Sequence, residues 1–230
     1  MTLKERMERV ATLGMEKIFH KNQVIRDFHN GEWIQEKFYI RHLIETSKRI
    51  PLMNETDAYA IYRWCSKDPQ LAAKVAHYLS EEMGHELLFA RDVARFGVPQ
   101  EKFVETRVFP STVKLIGFLR VSIDIDGMLP PAVWSWFVEW YSDKYNPIIT
   151  KRAGEAFGDT KVKGSKSHIA YDEEHDHGDL MFQIVKRSIE TFGSEEIALS
   201  YINQFTDLIA AYFEELYEAT CLKIQPVNAE

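Results

Sequence analysis

Apolar residues recur every three to four positions along nearly the whole chain, which is the spacing of amphipathic helices. A first such segment runs from Leu3 to His20, and Asn30-Gly31 follows as a turn. A second spans Trp33 to Arg49 and is expected to stop before Pro51; a third, shorter one covers Asp57 to Cys65. Asp68-Pro69 supplies an N-cap and a proline for the first helical position, opening a fourth helix to Phe96 with Gly97 as its stop. Ser111 is placed to cap a fifth helix that Gly127 closes. Pro130-Pro131 starts a sixth, Trp134 to Ile149, with Pro147 as an expected kink. Gly158 to Lys166 is polar and basic and reads as a loop. A seventh helix follows from Ser167 to Thr191, and Gly193-Ser194 separates it from a last helix reaching Leu222. Only Thr106 to Phe109 hints at extended structure, and there is no internal repeat. The pattern predicts an all-α bundle.

Composition narrows this picture. With 45% hydrophobic and 13% aromatic residues the chain is not disordered. Its 230 residues are enough for one sizeable core, so residues 1–230 are expected to form a single domain. The net charge of -7 argues against nucleic acid or an anionic membrane as the main partner. Cys65 and Cys221 form neither a disulfide framework nor a zinc motif. No apolar run approaches the ~18 residues of a membrane span, and the first residues lack a signal peptide's apolar core. A cytoplasmic protein is expected, acting on a small molecule, with a homodimer as the remaining partner to consider.

The candidate chemistry concentrates on inward helical faces. His168, Asp172 and His175 stand at i, i+4 and i+7, within about 60° of arc on one face. Two imidazoles and a carboxylate so placed can ligate a transition metal, and Asp179, one turn on, can hydrogen-bond a ligand. The competing reading is an acidic solvated surface, because Glu173, Glu174, Asp176 and His177 are interspersed. Glu82 and His85 fall on the stripe of Leu71, Val75, Tyr78, Phe89, Val93 and Phe96, where an unpaired carboxylate is costly. Glu81 and Glu86 lie off that stripe and are expected in solvent. Glu139 sits among the aromatic residues of the sixth helix. Glu45 is an acid of the second helix whose alternative role is an intrahelical pair with Arg41 or Arg49. Together Glu45, Glu82, His85, Glu139, His168, Asp172 and His175 have the composition of a di-iron or di-manganese site in a helical bundle.

The order of these motifs resembles the haem-oxygenase-like di-iron oxidases and oxygenases, relatives of thiaminase II and pyrroloquinoline-quinone synthase. The matching pieces are Glu82-Met-Gly-His85, Glu139 and His168-x3-Asp172-x2-His175, followed by a long C-terminal helix. The resemblance implies a seven-helix bundle without haem, two Fe(II) ions and dioxygen as co-substrate. It makes the quoted residues iron ligands, with Glu45 as the early-helix glutamate and Glu36 as its substitute. It also implies a second ion that is held loosely, and the glycine-containing segment before the seventh helix is expected to give that helix an easily disordered start.

The activity so implied is the oxidation of a small molecule by dioxygen: N-oxygenation, C–H or C–C cleavage, or formation of an alkene or nitrile. The rings around Glu139, with Tyr78 and Phe89, would suit a bulky, aromatic substrate, though ordinary core packing explains them better; an amino acid is favoured over a fatty acid. Arg41, Arg63, Arg91 and Arg120 are the candidates for binding a substrate carboxylate. Two alternatives stand beside this reading. One is a metal-free thiaminase-II-like hydrolase or cofactorless oxidase; the other is a helical bundle that binds dioxygen or metal without turnover.

Overall fold

Thr2 opens the first helix with a reciprocal cap, accepting from the Glu5 amide while the Glu5 side chain accepts from its own. From there the computed structural model, which describes residues 1–175 and 177–222 and only the backbone of Glu173 and His175, is helical almost throughout, with no strand among the described residues. The helices are α1 (Leu3–Lys21), α2 (Gln23–His29), α3 (Glu36–Trp64), α4 (Pro69–Glu82), α5 (Glu86–Arg95), α6 (Gln100–Glu105), α7 (Pro110–Asp126), α8 (Leu129–Phe157), α9 (Lys163–His175), α10 (His177–Phe192) and α11 (Glu195–Tyr217). A 3-10 turn, Asp159–Val162, precedes α9, and a π-helical turn, Glu218–Leu222, follows α11. Residues 106–109 are not a strand but the connection into α7. No helix among the described residues is long and apolar enough to cross a membrane.

Two departures from the periodicity shape the interior. The second and third expected helices are one, because α3 continues through Pro51. Proline removes a single backbone hydrogen bond there. Buried side chains on both sides, from Phe38 and Leu43 to Thr56 and Ala60, hold the halves in line. The expected fourth helix is two. Met83 leaves the helical region and Gly84 takes φ +100, a conformation that disfavours any side chain, so α4 ends at Glu82 and α5 begins after His85. The expected seventh helix is described as α9 up to His175 and α10 from His177, with residue 176 outside the described residues.

α3 and α8 are the longest helices and form the centre, with α3 packed on α4, α5 and α7, and α8 on α7, α9, α10 and α11. Trp134, Trp136 and Phe137 of α8, Phe28 of α2, Phe38 of α3, and Phe205 and Phe213 of α11 are almost wholly buried. Burying each such ring contributes about 1.5–3 kcal/mol.

Two buried carboxylates fasten helix starts. Asp92 on α5 accepts from the amides of Gly164 (2.7 Å) and Ser165 (2.8 Å), from the Ser165 hydroxyl (2.9 Å) and from Arg95 (2.6 Å). It therefore pins the first turn of α9, where orphan amide donors favour an anion. Gly164 is part of that lock, since a Cβ there would lie 2.0 Å from the Leu88 carbonyl oxygen. The expectation of an easily disordered start to this helix is thus corrected: Gly158 to Lys166 contains an ordered 3-10 turn and an anchored helix start. Glu45 plays the same part at α7. Its carboxylate accepts from the Phe109 amide at 3.0 Å, the Thr112 hydroxyl at 2.5 Å and Arg41 at 2.7 Å.

Candidate metal centre

The break between α4 and α5 and the packing of α8, α9 and α10 bring acids and imidazoles together. Glu82 is the last residue of α4 and His85 precedes α5, with His85 Nδ1 3.2 Å from Glu82 Oε2. α9 contributes His168 and Asp172, whose Nδ1 and Oδ2 are 2.8 Å apart. α8 contributes Glu139, which accepts the Tyr78 hydroxyl at 2.6 Å. α10 opens with His177, whose Nδ1 lies 3.3 Å from Glu82 Oε1, 3.6 Å from Asp172 Oδ1 and 3.9 Å from Glu139 Oε1. Its Nε2 is 3.5 Å from Glu81 Oε2, so Glu81 borders the site rather than standing free in solvent.

Among the described residues two groups of three emerge. Donor atoms of Glu82, His85 and His168 lie within 4.8 Å of one another, and so do those of Glu82, Glu139 and His177. Glu82 belongs to both, and Asp172 lies between them, against His168 on one side and His177 on the other. Donors bonded to one divalent ion at about 2.0–2.2 Å sit up to about 4.4 Å apart, so each trio needs only a small contraction to surround a cation.

The chemistry of the donors fits metal ions. Glu82 Oε1, His168 Nδ1 and both oxygens of Asp172 are buried without an aligned hydrogen bond. The 2.8 Å separation of His168 Nδ1 and Asp172 Oδ2 is a close approach of charge and dipole, but not in the direction of a hydrogen bond. Buried polar atoms are normally satisfied, and a shared cation would satisfy all of these at once. Oxygen and imidazole donors without thiolate suit iron or manganese.

The electrostatics bear the mark of crowding. Burial lifts the Glu139 carboxyl well above the ordinary range, and the charges of Glu82 and Asp172 add to it. Burial likewise raises Asp57 to about 8, helped by the Glu82 charge. Glu82 goes the other way. Burial pushes it up, but hydrogen bonds to His177 and His85 and the neighbouring imidazoles outweigh this and bring it to about 2. Burial opposes the charging of His177, yet Glu82, Glu139 and Asp172 together raise it to about 9.

Of the residues singled out in the sequence, Glu82, His85, Glu139, His168 and Asp172 come together here, and Tyr78 touches Glu139. The His175 side chain lies outside the described residues. Glu45 is elsewhere: it is fully buried but committed to Arg41, Phe109 and Thr112. Asp179 is exposed on α10, 3.9 Å from Lys4.

Two residues were missed. His177 lies five positions after Asp172, about 140° around an ideal helix, so helical periodicity does not place it on the Asp172 face, yet its Nδ1 lies 3.6 Å from Asp172 Oδ1. Asp57 is 5% exposed and follows Leu43 and Ile50 at seven-residue intervals, with all three lining the cavity beside the cluster. That heptad spacing is the signal that identifies it.

The cavity encloses about 1050 Å³ including its mouth. Glu82, Glu139, Asp57 and His168 line one part of it, and Met53, Trp134, Val138 and Ile149 give it apolar walls. Neither cysteine lines it: Cys65 is exposed, and Cys221 lies against Thr220 and Gln35. A cysteine nucleophile of the thiaminase-II type therefore has no support in this site.

No protein-family model and no curated protein matches the chain. Among solved structures, it is similar to a domain of unknown function with a heme oxygenase-like fold from Shewanella denitrificans OS217. The TM-score is 0.75 at 17% identity, over 100% of this chain and 98% of the other. The chain therefore has the haem-oxygenase-like fold, an all-α bundle.

Proposed function

We propose that the protein is a non-haem, two-iron oxidase or oxygenase that uses dioxygen to oxidise a small molecule. The observation that carries this reading is the pair of buried donor trios sharing Glu82, with Asp172 between them. A lone buried histidine or ion pair has no need of two overlapping sets. When bound, a pair of Fe(II) ions supplies the electrons that reduce dioxygen and so the oxidising power.

Within this reading Glu82, common to both trios, would hold the ions together with His85, His168, Asp172, Glu139 and His177. Asp57 takes the place first assigned to Glu45 as the α3 carboxylate. Tyr78 orients Glu139 through its 2.6 Å hydrogen bond. The protein's own proton inventory follows from the crowding. At neutral pH without cations Glu139 and Asp57 hold protons and His177 is charged, and each must release one to ligate. Metal uptake therefore weakens as pH falls. The apolar cavity walls keep water from the reacting carbon of a substrate held against the cluster.

The test is anaerobic titration with Fe(II), followed by exposure to dioxygen with and without candidate substrates. The expected result is two irons per chain and a transient visible absorption that decays faster with substrate. Failure to retain iron rejects the reading. Iron that stays bound with no oxygen uptake favours storage or carriage instead.

A further inference from the structure

The cavity beside the cluster runs along α3, where His42, Arg49, Met53 and Asp57 all line it. Asp57 marks the cluster end. Arg49 stands eight residues earlier, about 12 Å back along the helix axis. Helical side chains lean toward the N-terminus, which carries its guanidinium further from the cluster, toward His42. The contacts agree. The Arg49 guanidinium carbon lies 5.2 Å from the centre of the Tyr212 ring, and the Tyr212 hydroxyl is 2.6 Å from His42 Nδ1. The Arg49 charge is felt by His42, Tyr141 and Tyr212.

All three of those neighbours are neutral near pH 7, because burial depresses the His42 imidazole and raises both phenols. Among the described residues Arg49 has no carboxylate at ion-pair distance and no hydrogen bond; its recorded contact is the Tyr212 ring. Glu45, one turn away on α3, is taken by Arg41, Phe109 and Thr112. The arginines expected from the sequence are occupied or outside the cavity. Arg41 binds Glu45, Arg63 binds Asp124, Arg120 binds Glu55, and Arg91 is exposed. A half-buried guanidinium among neutral groups lacks the counter-ion that normally offsets its desolvation.

We infer that Arg49 is the anchor for a substrate carboxylate. The two ends of the cavity then select an amphipathic monocarboxylic acid. Its charged head sits on Arg49, its apolar body lies between Met53, Trp134 and Val138, and its far end meets Glu82, Glu139 and His168. The oxidised atom is accordingly remote from the carboxylate, in a long alkyl chain or a ring-bearing side chain. Which end reacts rests on the proposed oxidase reading; the binding of the carboxylate does not.

Calorimetry on the metal-free and the Fe(II)-loaded protein tests this with decanoate, 4-phenylbutyrate and L-phenylalanine against decanamide and 4-phenylbutyramide. A charge-assisted bidentate contact predicts acids binding about tenfold or more tighter than their amides. Preference for an alkanoic acid or for the amino acid distinguishes the two sources of the carboxylate, and either supports the anchor. Arg49→Met, which keeps the side chain's stem, removes the preference, Arg49→Lys retains part of it, and Arg63→Ala leaves it intact. Melting curves of the variants establish that they are folded. Equal binding of acid and amide, a preference that survives in Arg49→Met, or no binding of any probe overturns the proposal. Loss of iron binding alone ends the oxidase reading without moving the acid–amide ratio.

Discussion

Asp92 and Glu45 on one side, and Glu82 and Asp172 on the other, are all carboxylates withdrawn from water, yet their surroundings are opposite in kind. The first pair faces backbone amides, hydroxyls and an arginine, each at hydrogen-bond distance. The second pair faces imidazoles and other carboxylates and keeps buried oxygens without an aligned donor. Burial therefore does not mark a metal ligand. The second pair stands apart because its close neighbours are imidazoles and acids, groups that can themselves ligate a cation. One kind of carboxylate builds the fold, and the other belongs to the candidate metal centre.

Variants that exchange stability for metal affinity break this comparison most sharply. Asp172→Ala is expected to lower iron affinity by more than about 100-fold, giving at most one iron per chain by metal analysis. The melting point of the metal-free protein should stay the same or rise, since a crowded acid has been removed. A parallel loss of apo stability would place Asp172 with the structural acids. Asp92→Ala should behave inversely. It strips the start of α9 and Arg95 of their acceptor, at a cost of about 3–5 kcal/mol, which thermal unfolding should register as a drop of about 10 °C.

Glu45→Gln sharpens the same contrast at a smaller scale. The amide still accepts from Phe109 or Thr112 but loses the charge opposite Arg41, a loss of about 1–3 kcal/mol. Iron content should be unchanged, and a variant short of iron would restore Glu45 to the ligand set.

Histidine offers a comparison of its own. His29 and His42 are buried against tyrosine hydroxyls, and burial lowers them to about 4 and about 3. The unfolded chain takes up protons near 6.5 while the folded protein refuses them. The stability these residues allow is complete above that pH and is lost as pH falls toward 4 and then 3. Denaturant titrations of the metal-free protein at pH 7, 5.5 and 4.5 should show the decline, and His29→Gln with His42→Gln should flatten it.

Much of this was legible in one dimension because helical periodicity is a local property. The capped start of α1, the Asp68-Pro69 opening of α4 and the Gly127 stop of α7 stand where side-chain chemistry puts them. Glu82, His85, Glu139, His168 and Asp172 were recognisable as polar groups on inward or one-sided faces. Pro51 misled the reading because a proline's local penalty is outweighed by packing on both sides of it. Met83-Gly84 misled it because a run of helix formers conceals a glycine with positive φ. Glu45 misled it because an acid on an inward face can serve a ligand role or a helix cap, and the deciding amides arrive from residues 109–112.

The sequence by itself determined an all-α chain with acids and imidazoles turned inward, since periodicity and residue type are enough to fix which faces avoid water. Only the tertiary structure decided which of those groups meet. It sent Glu45 to α7, brought Asp57 and His177 toward Glu82, and left Arg49 facing a cavity without an anion. Those outcomes depend on where helices break and which distant donors are already occupied, and neither is a property of any local stretch of chain.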